Sequence, residues 1–211
     1  MLIHNHNQRS PEWYRVREGK ITASKILNIL GKDGLQKTKD AIDNLAMKLA
    51  IESVHGMIED TYVTHDMQRG IDLEPFAFQK LKDSLSIDFV ILETVGFIEY
   101  NEHIGASPDG YIKRKKTVEI KCPTAENFFK LVIRDTIDHK HIAQMQHQMF
   151  CAGVDGAIYY AYCIHNNQEF FYRKEIERSE DTTLLIKSRC EDVIGLKLKY
   201  IDKLKQNLQI K

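Results

Sequence analysis

The run Gly105-Ala106-Ser107-Pro108-Asp109-Gly110-Tyr111-Ile112-Lys113-Arg114-Lys115-Lys116-Thr117-Val118-Glu119-Ile120-Lys121-Cys122-Pro123 carries two overlapping patterns. Its second half alternates, so that Val118, Ile120 and Cys122 fall on one face of a strand and Glu119 and Lys121 on the other. Ahead of it, Asp109 to Lys113 reads as a second short strand. The charged Arg114-Lys115-Lys116-Thr117 reads as the turn that lets the two pair antiparallel. With the turn centred on Arg114 or Lys115, Asp109 stands opposite Glu119 or Lys121, and cross-strand partners have Cβ atoms about 4.5 to 5.5 Å apart. The polar face, with two carboxylates and an ammonium in one patch, is the expected working face.

Carboxylates that close repel each other unless a proton or a cation lies between them, and an oxygen-only donor set suits a hard divalent ion such as Mg2+ or Mn2+. Lys121 cannot ligate such an ion. Its ammonium can stabilise the negative charge that develops when a phosphodiester is cleaved. Taken alone, the run is equally a surface hairpin with an exposed ion pair, because short patterns of Asp, Glu and Lys recur by chance.

A chain of 211 residues is long enough for one domain with a real core, and nothing in it suggests a second. Its 30 Lys and Arg balance 30 Asp and Glu, which excludes a protein held on nucleic acid by bulk charge; any DNA contact has to be a local basic surface. No apolar run is long enough to span a bilayer, and Met1-Leu-Ile-His-Asn-His has no signal-peptide layout. The expectation is therefore no membrane and a cytoplasmic protein. Cys122, Cys151, Cys163 and Cys190 are too widely spaced for a zinc or iron-sulfur framework and read as reduced, mostly buried thiols.

In chain order, His4-Asn5-His6 lies in what reads as a frayed polar terminus. Ser10 and Pro11 open a helix that Gly19 ends, and Thr22 is the expected cap of a second helix carrying Ile26, Leu27 and Leu30 inward before Gly31. Arg17 and Ser24 thus flank a helix N-terminus, a natural place for an anion, although an ordinary cap with a solvated Arg17 is the simpler reading. Amphipathic helices follow from Thr38 to Gly56 and from about Met67 to Leu85. In the second of these, Glu74 lies on or beside the stripe of Leu73, Ala77 and Leu81, and Pro75 marks the first turn or a kink. Phe89 to Tyr100 reads as one strand leading into the hairpin, and the three make a meander. Helices start at Pro123-Thr124 and run over His139–Cys151; His139, His141 and His147 share no metal-binding face and read as solvated or incidental. A hairpin (Ala157–Cys163 and Glu169–Ile176) and a long helix from about Glu180 to Leu208 finish the chain, the helix's length suggesting an exposed or oligomeric packing role. The class is α/β or α+β, a central mixed sheet flanked by helices.

Pro108-Asp109 followed by Glu119-Ile120-Lys121 fits the signature of the PD-(D/E)xK nuclease superfamily. Four blocks in order extend the likeness: Trp13 with Arg17-Glu-Gly-Lys-Ile-Thr-Ala-Ser24, Gly70-Ile-Asp-Leu-Glu74, Ser107-Pro-Asp-Gly110 with Glu119-Ile-Lys-Cys-Pro123, and Ala143-Gln-Met-Gln146. From about Trp13 to Gly153 the chain resembles the lambda exonuclease and YqaJ-like viral recombinase family, the phage-type alkaline exonucleases. The resemblance implies one exonuclease domain over residues 1–211 with a restriction-endonuclease-like core. It implies 5′→3′ digestion of one strand from double-stranded DNA ends, leaving a 3′ overhang for recombination by strand annealing. It further implies two Mg2+ ions, for which Mn2+ substitutes, held by Glu74, Asp109, Glu119 and the carbonyl of Ile120, with Lys121 assisting the attacking water. Arg17, Ser24, Ser107 and Gln144 match positions that line a pocket for the terminal 5′-phosphate, and Met67 matches a strand-separating wedge. Partners implied are a ring-shaped trimer of the chain itself and a single-strand annealing protein, in the cytoplasm of a bacterial host if the gene is a phage's. Two other readings stay open. A restriction-type endonuclease or a Cas4-like nuclease shares the core motif, though the cysteine spacing does not supply the Cas4-like cluster. A catalytically silent DNA-end-binding module would lack at least one of Glu74, Asp109, Glu119 and Lys121, and all four are present.

Overall fold

The computed structural model describes residues 1–30, 39–56 and 64–209, so the helix stop expected at Gly31 lies outside the described residues. A four-stranded sheet runs through the centre: β4 (Gly110–Ile112), β5 (Lys116–Lys121), β6 (Gly156–His165) and β7 (Gln168–Glu177), in that order. β5 and β6 are parallel, and the other two pairings are antiparallel, which is the mixed sheet expected. Because side chains alternate across a strand, each face has its own cover. Ile112, Val118, Ile120, Ile158, Tyr160 and Tyr162 pack against Ala77, Leu81 and Leu85 of helix α3 (His65–Ser86). On the other face, Tyr111, Ala157, Tyr159, Ala161 and Cys163 pack against Phe128 of α4 (Ala125–Arg134) and Met145 and Met149 of α5 (His139–Ala152).

The expected meander divides between two sheets. Of the Phe89–Tyr100 segment only the part from Phe97 onward is a strand, β2 (Phe97–Asn101), and Phe89 is 95% exposed in a left-handed conformation. β2 pairs instead with β3 (Ile104–Ala106) and with β1 (Leu2–His4), so the amino terminus is a paired strand and not a frayed one. His4 Nε2 meets Glu99 Oε2 at 2.7 Å across this pairing.

Helix α1 (Pro11–Arg17) starts where its signals place it, with Ser10 Oγ accepting from Trp13 N at 3.2 Å. Gly19 then turns the chain at φ +66°, where a Cβ would lie 2.0 Å from Ser53 Oγ, so only glycine fits. The segment after it is a short 3-10 helix, Ala23–Asn28, and Thr22 makes no side-chain cap to it. Ile21, just ahead of it, bridges to Ile104 of β3, its N–H donating to His103 O at 2.8 Å. Pro75 stands in the interior of α3, and not in its first turn.

The long helix α6 (Glu180–Leu208) is not a projecting element. Ile186, Cys190 and Val193, at helical spacing, bury themselves against Leu45, Ala46 and Leu49 of α2 (Lys39–His55). Ser179 caps α6, its hydroxyl accepting from Thr182 N, and Gly153 closes α5 in the left-handed conformation. The four cysteines are free, three of them buried.

Candidate active site

Asp109 immediately precedes β4, and the register that sets Gly110 opposite Val118 carries on to set Asp109 opposite Glu119. The hairpin therefore takes the register centred on Arg114. The N–H of Asp109 donates to Val118 O at 3.0 Å, and Asp109 Oδ2 accepts from Ile120 N at 2.7 Å. A Cβ on Gly110 would sit 2.8 Å from Leu92 Cδ1 and 3.2 Å from Val118 Cβ, so glycine at this position is what lets the acid's strand close on β5.

The polar face of β5 does not look out to solvent. Glu119 is 0% exposed, lying under α5, where Gln148 Nε2 donates to its Oε2 at 2.5 Å while the ammonium of Lys121 bonds to its Oε1. Burial pushes the Asp109 carboxyl well above the usual range, and the charges of Glu119 and Glu74 add to that against the opposing pull of Lys121. Lys121 shifts upward: burial alone would lower it, but the carboxylates of Glu119 and Asp109 more than offset this. The protonated, donating form of Lys121 is thus the one its surroundings favour.

Glu74, Asp109 and Ile120 line one cleft of about 310 Å3, together with Pro75, Phe78 and the segment Asn5–Gln8. The amino-terminal segment is built into this wall: Gln8 Nε2 donates to Val95 O at 3.1 Å and Pro108 O at 2.9 Å. Arg9 Nη2 donates to Glu74 Oε2 at 2.8 Å, which gives the acid its partner. Among the described residues no three His, Cys, Asp or Glu side chains converge as a ready metal-binding group. Glu74 and Asp109 share the cleft, whereas Glu119 is turned to Lys121 and Gln148. The donor set still fits a hard divalent cation in kind, being all oxygen, and the raised Asp109 carboxyl marks a place where added positive charge would be favourable.

Of the four residues expected around a terminal phosphate, the structure joins two. Arg17 Nη1 donates to Ser107 Oγ at 2.8 Å, and Trp13 Nε1 donates to the same oxygen at 2.9 Å. The guanidinium carbon of Arg17 lies 3.9 Å from the centroid of the Trp13 ring. Burial lowers the Arg17 pKa to about 10, which leaves it charged at neutral pH. Ser24 is exposed, with its hydroxyl 3.2 Å from that of Thr22. Gln144 is half-buried and makes no side-chain hydrogen bond among the described residues. Met67 lies in the first turn of α3, 52% exposed.

Two histidines read as solvated or incidental prove otherwise. His147 is fully buried, its Nε2 donating to Gly105 O at 3.2 Å and lying 3.4 Å from Cys151 Sγ, and burial brings its pKa down to about 4. His141 falls to about 3, chiefly through burial and then through the charge of Lys121. Gln148 was missed as well. The available signal was helical spacing: His141, Gln144 and Gln148 recur at three- and four-residue intervals, which puts all three on one face of α5.

A YqaJ-like viral recombinase domain matches residues 12–155. The fold is similar to that of an alkaline exonuclease, LHK-Exo, from Laribacter hongkongensis, at 27% sequence identity and a TM-score of 0.79, covering 95% of this chain and 98% of that one. The same enzyme in complex with dAMP matches at 27% identity over the same shares with a TM-score of 0.78. A phage-related exonuclease from Haemophilus somnus 129PT, at 18% identity, 90% and 96% coverage and a TM-score of 0.60, shares the fold. No curated protein sequence matches the chain significantly.

Proposed function

Since this chain belongs to the YqaJ-like viral recombinase family, we propose that it is a single-domain DNA exonuclease that hydrolyses one strand of a duplex from its 5′ end, using Mg2+ and leaving a 3′ overhang for strand annealing. The observation that carries the reading is the meeting of Asp109, Glu119 and the Lys121 ammonium at the open end of one hairpin, beside a cleft that Glu74 also lines. The alkaline exonuclease name attached to the Laribacter relative supports the same class.

Glu74, Asp109, Glu119 and the carbonyl of Ile120 would hold the divalent ions. When bound, such ions supply Lewis-acid charge for an in-line displacement at phosphorus, with Mn2+ able to replace Mg2+. The chain's own residues do the rest. Lys121, held protonated by its two carboxylate neighbours, faces the negative charge that builds on the phosphoryl oxygens. Arg17 and Ser107 give directed donors for a terminal 5′-phosphate, within reach of Asp109 two positions along the chain. Ser24, Gln144 and Met67 complete the proposed DNA track, the first two at the phosphate and Met67 at the point where strands part.

A chain with balanced charge needs some other way to stay on DNA at physiological salt, and a ring-shaped homotrimer around the duplex supplies one. An annealing protein acting on the overhang is the expected partner, in the cytoplasm of a bacterial host. No helix among the described residues is long and apolar enough to cross a membrane.

The test uses end-labelled linear duplex and covalently closed circular duplex, each with Mg2+ or with EDTA. The expected result is release of 5′-terminal nucleotides from the linear DNA only, abolished by EDTA. Cutting of the closed circle would replace this reading with that of an endonuclease of the same superfamily.

A further inference from the structure

We infer that Gln148 is a positioning residue for Glu119, and that its amide sets how tightly the site takes up a divalent cation. The inference deepens the proposed function and rests on the reading of this centre as a divalent-ion nuclease site. Gln148 is 0% exposed, its Nε2 lies 2.5 Å from Glu119 Oε2, and its own Oε1 is buried without a partner among the described residues. The last torsion of a glutamate is broad and twofold, so a lone carboxylate samples many orientations. Here the ammonium of Lys121 engages one oxygen and the amide of Gln148 the other, which fixes the plane of the group. Each oxygen keeps a further lone pair for a cation. A neutral donor also orients the carboxylate without placing a second positive charge against the incoming ion.

Two further facts separate this from mere packing. Met145 and Met149, each 0% exposed, anchor α5 in the core beneath the sheet, so the amide is presented from a fixed support. Its Oε1, unpartnered among the described residues, carries a free-energy cost that a side chain present only to fill space would avoid. Gln148 differs in this from Gln146 two positions earlier, whose amide has partners at both ends: its Nε2 donates to Glu177 O and its Oε1 accepts from Ser179 N.

The experiment is calorimetric titration of the full chain with Mn2+ and with Mg2+, comparing wild type with Gln148→Met, a side chain of similar length and no donor. Ion binding is expected to weaken about ten- to hundredfold, the usual result of removing a hydrogen-bond partner from a metal ligand. The ion concentration giving half-maximal cleavage should rise by the same factor, while the KM for duplex ends and the kcat at saturating ion stay near wild type. Loss of packing alone would not move ion affinity apart from those two constants. Variant affinity within about twofold of wild type would overturn the inference and leave the nuclease reading standing. A wild-type protein that takes up neither ion would overturn the nuclease reading itself and the inference with it. Thermal unfolding checks each protein; if Gln148→Met does not fold, Gln148→Asn withdraws the amide by one carbon and carries the same expectation.

Discussion

Asp109 and Ile120 are tied across the hairpin: the N–H of Ile120 donates to Asp109 Oδ2 at 2.7 Å, anchoring the acid to the strand that bears Glu119 and Lys121. The bond needs an acceptor and not a charge. Asp109→Asn should therefore keep the hairpin and lose the electrostatics, with cleavage falling about 10²- to 10³-fold or more and duplex binding retained. Glu119→Ala and Lys121→Ala should behave alike in single-turnover digestion. Near-wild-type turnover in Glu119→Ala would end the reading of this hairpin as the catalytic centre.

Gln146 predicts the opposite phenotype. It is buried, its Nε2 donating to Glu177 O at 2.8 Å and its Oε1 accepting from Ser179 N at 2.9 Å, so it joins the end of β7 to the start of α6. Gln146→Ala strands both backbone groups and should cost about 2 kcal/mol or more in denaturant unfolding. Turnover at 25 °C by the protein that remains folded should be unchanged.

Stability should also fall in mild acid on account of His147. Its folded pKa is down at about 4, against about 6.5 in an unfolded chain, so the unfolded state binds more protons between those values. The contribution is complete above about pH 6.5 and is lost as pH falls toward 4, a change of roughly 3 kcal/mol. His141 is shifted the same way, down to about 3, so a difference measurement is required. Unfolding free energies of wild type and His147→Gln, followed from pH 7 to pH 4, should converge as the pH drops. A constant gap across that range would show that His147 does not carry the effect.

The features legible in the sequence were those written in a few adjacent residues. Ser10 before Pro11, Ser179 before Glu180, Gly153 after Ala152 and the charged turn at Arg114 each satisfy a local geometric need, and each acts in the structure where the residue type says it should. The hairpin's alternation likewise placed Asp109, Glu119 and Lys121 together. What it could not say was which layer would cover the polar face. Glu119 is buried because α5, which follows it by some twenty residues, lies over it. The pairing of Leu2–His4 with β2 depends on a partner far along the chain and leaves no periodic mark, and the apolar spacing of Ile186, Cys190 and Val193 in α6 does not say that α2 is what covers it. For the proposed phosphate pocket, the family resemblance implied four members. Arg17 and Ser107 bond directly, and the Trp13 ring, which lies under the guanidinium and donates to the same Ser107 oxygen, has a role there that only the fold discloses.

That contact yields the last prediction. Arg17 is stacked at 3.9 Å on Trp13 and donates to Ser107 Oγ at 2.8 Å, and Ser107 lies two residues before Asp109. A stacked guanidinium is held flat with its remaining N–H groups aimed in fixed directions, which suits the paired oxygens of a terminal phosphate better than a mobile ammonium does. Holding that phosphate would keep the scissile bond over the carboxylates, so binding energy at one point becomes positioning at another. Duplex ends with a 5′-phosphate should then be digested about ten- to hundredfold faster than 5′-hydroxyl ends, the worth of one charged hydrogen bond. Arg17→Ala should remove most of that preference while leaving digestion of 5′-hydroxyl ends near its wild-type rate. Arg17→Lys should restore only part, because it keeps the charge and loses both the fork and the stack on Trp13. Equal wild-type rates on the two kinds of end, or an Arg17→Ala protein that still distinguishes them, would place the recognition of the terminal phosphate elsewhere in the molecule.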